Sequence, residues 1–309
     1  MTATVSTIDT QLHGQIRWDY REEKTRVYSL YELAKSKVWK TSEAPWEALV
    51  DHSLPPSRHQ FEPLAGFAPF DALPSSRRID CSWYRHGLEI SDILHGEQGA
   101  LLVSSQLVSC MPDIEAKLFA SSQVSDEARH VEFFSRYLLE VVGDVHPPSD
   151  AVAALIKAMV NDPRWDYKFI ACQILIESLA LARLQDIRRA TLVPVLAHAI
   201  DFISADEARH VKFGTEILRR HLASLNASEL QTRSDFVVDH LLGLADAMNI
   251  YTRIANEFDW DVRALRFHLR QNRIRQPQPR HDLFRQLMLN MNSVGLLTPQ
   301  TERRLSGLA

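Results

Sequence analysis

The pentapeptide Asp-Glu-Ala-Arg-His occurs twice, at Asp126–His130 and at Asp206–His210, and each copy has a lone Glu thirty positions upstream of its own Glu. Glu97, Glu127 and His130 thus recur as Glu177, Glu207 and His210 after a shift of eighty residues. That register reads as the duplication of a two-helix unit. In a Glu-x-x-His step the two side chains differ by about 300° of rotation and roughly one turn of rise, so both project from one helix face. Between Glu97 and Glu127 the run Cys110-Met111-Pro112-Asp113 should end one helix and start the next, because proline lacks an amide hydrogen and suits a first turn. An antiparallel hairpin turning there sets Glu97 opposite the Glu127/His130 pair. A second hairpin, turning near Thr191-Leu192-Val193-Pro194, does the same for Glu177 and Glu207/His210.

Four helices then bring four Glu and two His to one depth of an all-α bundle, the arrangement by which ferritin-like bundles hold two metal ions. A single Glu-x-x-His would be weak, since on the order of one arises by chance in a chain of this length. A solvated helix face with local charge pairs is the ordinary meaning of such a run. Against it stand the repeat of the pentapeptide, the equal spacing of both upstream Glu residues, and their apolar settings. Glu177 lies in Ile174-Leu175-Ile176-Glu177-Ser178-Leu179-Ala180-Leu181, and Glu97 precedes Ala100-Leu101-Leu102-Val103. An unpaired carboxylate there would be costly to bury or would protonate. Four carboxylates facing two divalent ions cancel in charge.

Glu97, Glu127, His130, Glu177, Glu207 and His210 are therefore the expected metal ligands. A ligating imidazole usually donates its other ring N–H to a carboxylate. Asp126 and Asp206 adjoin the ligand Glu residues, and the pseudo-twofold should pair Asp126 with His210 and Asp206 with His130. Arg129 and Arg209 would balance these Asp charges, or else stand at the surface. Asp113 and Glu115 follow Pro112 in a first helical turn, where the helix dipole favours acids, and read as caps.

The length of 309 residues can bury an ample core. The sequence divides into an N-terminal helix and proline-rich wrapping segment (1–83), the dimetal four-helix bundle (84–222) and a C-terminal helical extension (223–309). Residues 1–17 should be a loose tail, and a helix should run from about Asp19 to Lys40. Pro45, Pro55, Pro56, Pro63, Pro69 and Pro74 mark an extended connection. Further helices are expected at Ala151–Val160, Ser234–Phe258, Asp261–Arg273 and His281–Met291. No run of eighteen uncharged apolar residues exists, so no membrane span is expected, and the N-terminus lacks a signal-peptide core. Cys81, Cys110 and Cys172 form no Cys-x-x-Cys pair, which fits a reducing, cytoplasmic compartment.

The segments Gly96-Glu97, Asp126-Glu127-Ala128-Arg129-His130-Val131-Glu132-Phe133-Phe134 and Asp206-Glu207-Ala208-Arg209-His210-Val211-Lys212-Phe213-Gly214 resemble the ribonucleotide-reductase-small-subunit-like di-iron proteins. That superfamily includes multicomponent monooxygenase hydroxylases, ligand-binding oxidases and N-oxygenases. The resemblance implies a ferritin-like fold, a two-iron or manganese–iron centre, and activation of dioxygen. Departures narrow it. Phe134 stands where reductase subunits carry a radical tyrosine. Cys172 and Ala100 replace the Tyr and Val that cross-link in ligand-binding oxidases. Leu181 stands where hydroxylases usually place Thr, and Ile203 where arylamine N-oxygenases add a third His.

The expected activity is that of an oxygenase or oxidase using O2 on a small organic metabolite, by C–H hydroxylation or amine N-oxygenation. A ferroxidase or iron store, a two-electron ligand oxidase and a metal-free structural bundle are the alternatives; ferritins tend to be shorter and to lack long extensions. Substrate should lie along the helices bearing Glu97 and Glu177, near Ala100, Leu101, Ser104, Gln173, Leu181 and Leu184, all of which could equally be ordinary bundle core. The chain has no flavin fingerprint or iron–sulfur cysteine set, so an external electron donor is implied. The net charge of −4 does not point to nucleic acid, but Arg263, Arg266, Arg270, Arg273, Arg275, Arg280 and Arg285 concentrate positive charge near the C-terminus. They are either a solvated basic face or a dock for an acidic reductant or an acidic carrier protein bearing the substrate. A homodimer is left open.

Overall fold

The first helix, α1 (Arg26–Ser36), starts where the Thr25 hydroxyl accepts from the Val27 amide. Thr25 also donates its backbone N–H to Glu115 at 3.1 Å, and its hydroxyl to the same carboxylate. Glu115 therefore anchors the N-terminal segment in addition to sitting in a first turn. The helix stops short of Lys40 because Lys37 caps it, and the following residues turn inward so that Trp39 is buried. The computed structural model describes residues 8, 10, 14–18, 20, 25–246, 249–275 and 278–305, with the side chains of 242–249 and 273–284 outside that description.

After two 3-10 turns (Thr41–Glu43 and His59–Phe61) and a one-turn helix (Ala68–Asp71), Pro74 precedes α2 (Ser75–Cys110). The helix begins earlier than residue 84, so the expected edge of the bundle falls inside it. Proline is tolerated just outside a helix start, where no amide hydrogen is needed. Asp113 caps α3 (Ile114–Tyr137), accepting from the amides of Glu115 at 2.9 Å and Ala116 at 3.2 Å. A π-helical turn, Leu138–Val142, follows and ends at Gly143, whose φ of 96° favours glycine. Ser149 caps α4 (Asp150–Asn161). Next, Trp165–Phe169, a π-helical stretch Ile170–Ile176 and Glu177–Ala190 run on as one rod, α5. The residues 191–193 then turn the chain into α6 (Pro194–Leu222). Beyond lie α7 (Ala227–Asp246), α8 (Asn249–Glu257), α9 (Val262–Arg275), α10 (Gln278–Val294) and α11 (Pro299–Leu305). The last of these is absent from the sequence-based expectation.

α2, α3, α5 and α6 form the bundle, and its apolar interior splits into two layers. One holds Val103 and Leu107 of α2, Phe119 of α3, Cys172 and Leu175 of α5, and Phe213 and Ile217 of α6. The other holds Ile90 and Leu94, Phe133 and Tyr137, Leu184 and Ile187, and Ile200 and Ile203 from the same four helices. On every helix the expected ligand positions fall between the two sets. The flanking segments add to these layers, Val27, Leu287 and Met291 to the first and Trp39 and Ala44 to the second. A third cluster joins Leu64, Phe67 and Phe70 to Ile254, Leu265 and Leu269. Beyond the second layer, buried Glu89 of α2 pairs with Arg85 at 3.0 Å and with Arg183 of α5 at 2.6 Å, tying the two hairpins together. Burial opposes the Glu89 charge, but Arg183 and Arg85 outweigh it and hold the carboxyl at about 2. Among the described residues there is no strand, only one isolated bridge between Ser57 and Thr191, and no helix long and apolar enough to cross a membrane.

Candidate metal centre

Two groups of donor atoms lie back to back in the polar gap. Glu97, Glu127, His130 and Glu207 form one, and Glu127, Glu177, Glu207 and His210 the other, the chosen atoms of each lying within 4.8 Å of one another. Glu127 and Glu207 belong to both. All six residues are buried, with Glu127, His130, Glu207 and His210 at 0 % exposure. Each Glu-x-x-His pair shares one helix face, as its spacing requires.

Both imidazoles offer the same nitrogen. His130 Nδ1 stands 3.3 Å from Glu97 Oε2 and 3.1 Å from Glu207 Oε1. His210 Nδ1 stands 3.3 Å from Glu127 Oε1 and 3.0 Å from Glu207 Oε2. The other nitrogen turns away to the opposite half: His130 Nε2 is 3.2 Å from Asp206 Oδ2, and His210 Nε2 is 3.2 Å from Asp126 Oδ2. Arg129 and Arg209 pair with both aspartates, Arg129 hydrogen-bonding Asp126 and reaching Asp206 at 3.6 Å, Arg209 hydrogen-bonding Asp206 and reaching Asp126 at 3.4 Å. Neither arginine is a free surface charge.

The protons of this cluster are held in unusual places. Burial and then the Glu207 charge push Glu97 up to about 8, and burial with Glu207 and Glu127 pushes Glu177 well up. Burial works against a charged imidazole, yet Glu127, Asp126 and Glu207 lift His210 to about 10, and hydrogen bonds lift His130 far above its ordinary value. The cluster therefore keeps protons that cations can replace. Glu97 Oε1, Glu127 Oε2 and Glu207 Oε1 are buried without a hydrogen-bond partner, although His130 Nδ1 stands 3.5 and 3.1 Å from the last two. Inward-facing, unpaired carboxylate oxygens beside imidazole nitrogens are a donor set that fits a pair of divalent ions.

Two further residues touch the cluster. Trp39 Nε1 donates to Asp206 Oδ2 at 2.9 Å, and its ring stacks on His130 with centroids 6.4 Å apart. It arrives from a loop 167 positions away in sequence, and no local pattern announces it. Gln123 donates to Glu127 and Glu177; its place four residues before Glu127, on the same helix face, was the available signal.

The six expected lining residues are divided. Ala100, Ser104 and Gln173 are buried on the side of the first apolar layer, Leu184 belongs to the second, and Leu101 and Leu181 are half-buried. The reason is direction. α2 and α5 run oppositely through the centre, so residues following Glu97 lie level with those preceding Glu177.

The sequence profile of the family described as p-aminobenzoate N-oxygenase AurF matches residues 21–295. The chain belongs to the AurF family. Solved structures with a similar fold include R2-like ligand-binding oxidase variants. One with an anaerobically reconstituted Mn/Fe cofactor aligns at TM-score 0.57 and 17 % identity, over 89 % of this chain and 95 % of that one. Another, aerobically reconstituted with Mn/Fe, gives 0.58 at 16 % identity with the same coverage. No curated protein matches the sequence. As a member of the AurF family the chain is a dimetal oxidoreductase that uses dioxygen on small organic substrates. The position expected for a third His holds Ile203, fully buried in the second apolar layer.

Because His130 and His210 are held protonated when no cation is present, metal loading near neutral pH is expected to release protons. Calorimetry in buffers of differing ionisation enthalpy would measure that release. Affinity should fall as pH is lowered. Loading without proton release, or affinity that is flat between pH 6 and about 8, would contradict this assignment of the protons.

Proposed function

We propose that Glu97, Glu127, His130, Glu177, Glu207 and His210 hold two iron ions, with manganese–iron as the alternative pair, and that the protein oxygenates the nitrogen of a small organic amine in the cytoplasm. The carrying observation is the six-donor cluster inside a chain that matches the N-oxygenase profile from residue 21 to 295. The family favours nitrogen over C–H as the target.

The bound ions would supply the electrons that reduce dioxygen, which no side chain here can do. The protein's own groups do the positioning. Asp126 and Asp206 accept from the far imidazole nitrogens and so keep both Nδ1 atoms turned inward. Arg129 and Arg209 hold those aspartates in place. The apolar layers above and below exclude water that would otherwise compete for the oxidant. On the substrate side, Ala100 and Leu101 supply apolar surface, and the buried, unpartnered Ser104 hydroxyl supplies a polar handle. Gln173 lies level with them on α5; Leu184 belongs to the other layer, and Leu181 is half-buried on the same helix.

Reduction of the bound ions would call for an external donor. Its dock, or that of an acidic carrier bearing the substrate, is the groove of about 430 Å³ lined by Arg263, Arg266, Phe267 and Arg270 on α9. These arginines are exposed, and so is Phe267, at 65 %. The side chains of Arg273, Arg275 and Arg280 lie outside the described residues, and Arg285 is exposed on α10.

The activity is tested by loading the protein with ferrous iron anaerobically and adding an arylamine with ¹⁸O₂. The expected product carries ¹⁸O on nitrogen, read by mass spectrometry; label on carbon alone, or O2 consumed with the amine intact, would reject N-oxygenation. The dock is tested by reversing Arg263, Arg266 and Arg270 to Glu. Turnover driven by a protein partner should then slow and lose its salt dependence, while metal content and chemical reduction stay unchanged. Equal partner-driven rates and equal salt response would remove the dock.

A further inference from the structure

The pseudo-twofold relation between the halves of the centre is broken beside the carboxylates. Gln123 stands four residues before Glu127, and Ile203 four residues before Glu207. Both are fully buried. Gln123 Nε2 donates to Glu127 Oε1 at 3.0 Å and to Glu177 Oε1 at 2.8 Å, so its two hydrogens bind carboxylates on different helices. The amide turns its nitrogen, the donor end, toward the two carboxylates. Its oxygen then points away and accepts from Gln173 Nε2 at 2.7 Å. Gln173 is itself clamped. A Cβ on Gly214 would lie 2.5 Å from Gln173 Cβ, so α6 passes this close only because the residue is glycine. A rigid relay thus runs from Gly214 through Gln173 and Gln123 to two carboxylates. Ile203, at the matching position, is apolar and offers Glu207 no hydrogen bond.

The relay favours one donor group over the other. Glu127 belongs to both groups, so the hydrogen bond to Glu177, which belongs only to the group with Glu207 and His210, sets the two apart. The opposite group contains Glu97, whose Oε1 has no partner. Gln123 holds Glu177 Oε1 while Glu177 Oε2 lies 3.6 Å from His210 Nδ1, and fixing the carboxylate in this way removes rotational freedom that ion binding would otherwise have to freeze.

We propose that Gln123, oriented by Gln173, is a positioning residue that makes the two ion positions unequal: the position on the Glu177/His210 side is preformed and fills first, and the position on the Glu97/His130 side stays adjustable. This rests on the assignment of the six residues as ligands, but not on N-oxygenation.

The test uses cobalt(II), titrated anaerobically into the metal-free full-length protein and followed by visible absorbance and calorimetry. Wild-type protein should bind two ions in two resolved steps. Gln123→Met keeps the side-chain length and removes both N–H donors; it should weaken the first step by about 10- to 100-fold, the usual worth of a group that hydrogen-bonds a ligand, and leave the second nearly unchanged. Gln173→Met leaves the Gln123 donors but frees their orientation, and should weaken the first step by a smaller factor. Thermal melting of the metal-free variants shows whether each is folded; if Gln123→Met is not, Gln173→Met carries the test. Unchanged binding steps in a folded variant, or two ions bound by the wild type in a single unresolved step, would overturn the proposal. A wild-type protein that binds no cobalt would overturn the ligand assignment beneath it.

Discussion

Four carboxylates buried at one level of a helical bundle repel one another, and the rest of the structure is arranged around that repulsion. In water the repulsion would be screened; between two dry layers it is not. Part of it is met by protons on His130, His210, Glu97 and Glu177, whose proton affinities are all raised. Another part is met by the crossed Asp126–Arg209 and Asp206–Arg129 contacts, which bring cations close without placing them among the ligands. The cluster is stable in the fold only because these compensations surround it on every side. Two divalent ions would complete them.

The same constraint explains the layered core. Hydrophobic packing above and below supplies the stabilisation that a polar layer cannot, and it keeps water away from the donor atoms. The N-terminal and C-terminal segments are drawn into this scheme. Val27, Leu287 and Met291 extend one layer, while Trp39 closes the other and spends its indole N–H on Asp206. The flanks therefore share the core of the bundle.

Much of this was legible in the chain because it follows from short spacings. The Glu-x-x-His steps, the thirty-residue intervals and the prolines at the turns fixed which helix faces meet, and the structure brings those six side chains together. What could not be read depends on long-range geometry. Trp39 was expected inside the helix running to Lys40, whereas it lies in the loop after that helix ends at Ser36. The relative direction of α2 and α5 decides that Ala100 lies level with residues before Glu177, so Leu184, two turns after Glu177, falls in the other layer. Gln173 was visible as a polar residue near a ligand, but its clamp against Gly214 needs the approach of α6. Pro74 misled through its company: six prolines suggested a long extended segment, yet the last of them simply precedes the first bundle helix.

We propose that two ions sit between these layers, one held by Glu97 and His130 and one by Glu177 and His210, with Glu127 and Glu207 offering donors to both. Anomalous diffraction at the iron edge from crystals of the iron-loaded protein measures it directly. The expected result is two peaks, one against His130 Nδ1 with Glu97 and one against His210 Nδ1 with Glu177, both within reach of Glu127 and Glu207. A single peak, or ions held by Asp126 or Asp206 in place of the glutamates, would contradict it.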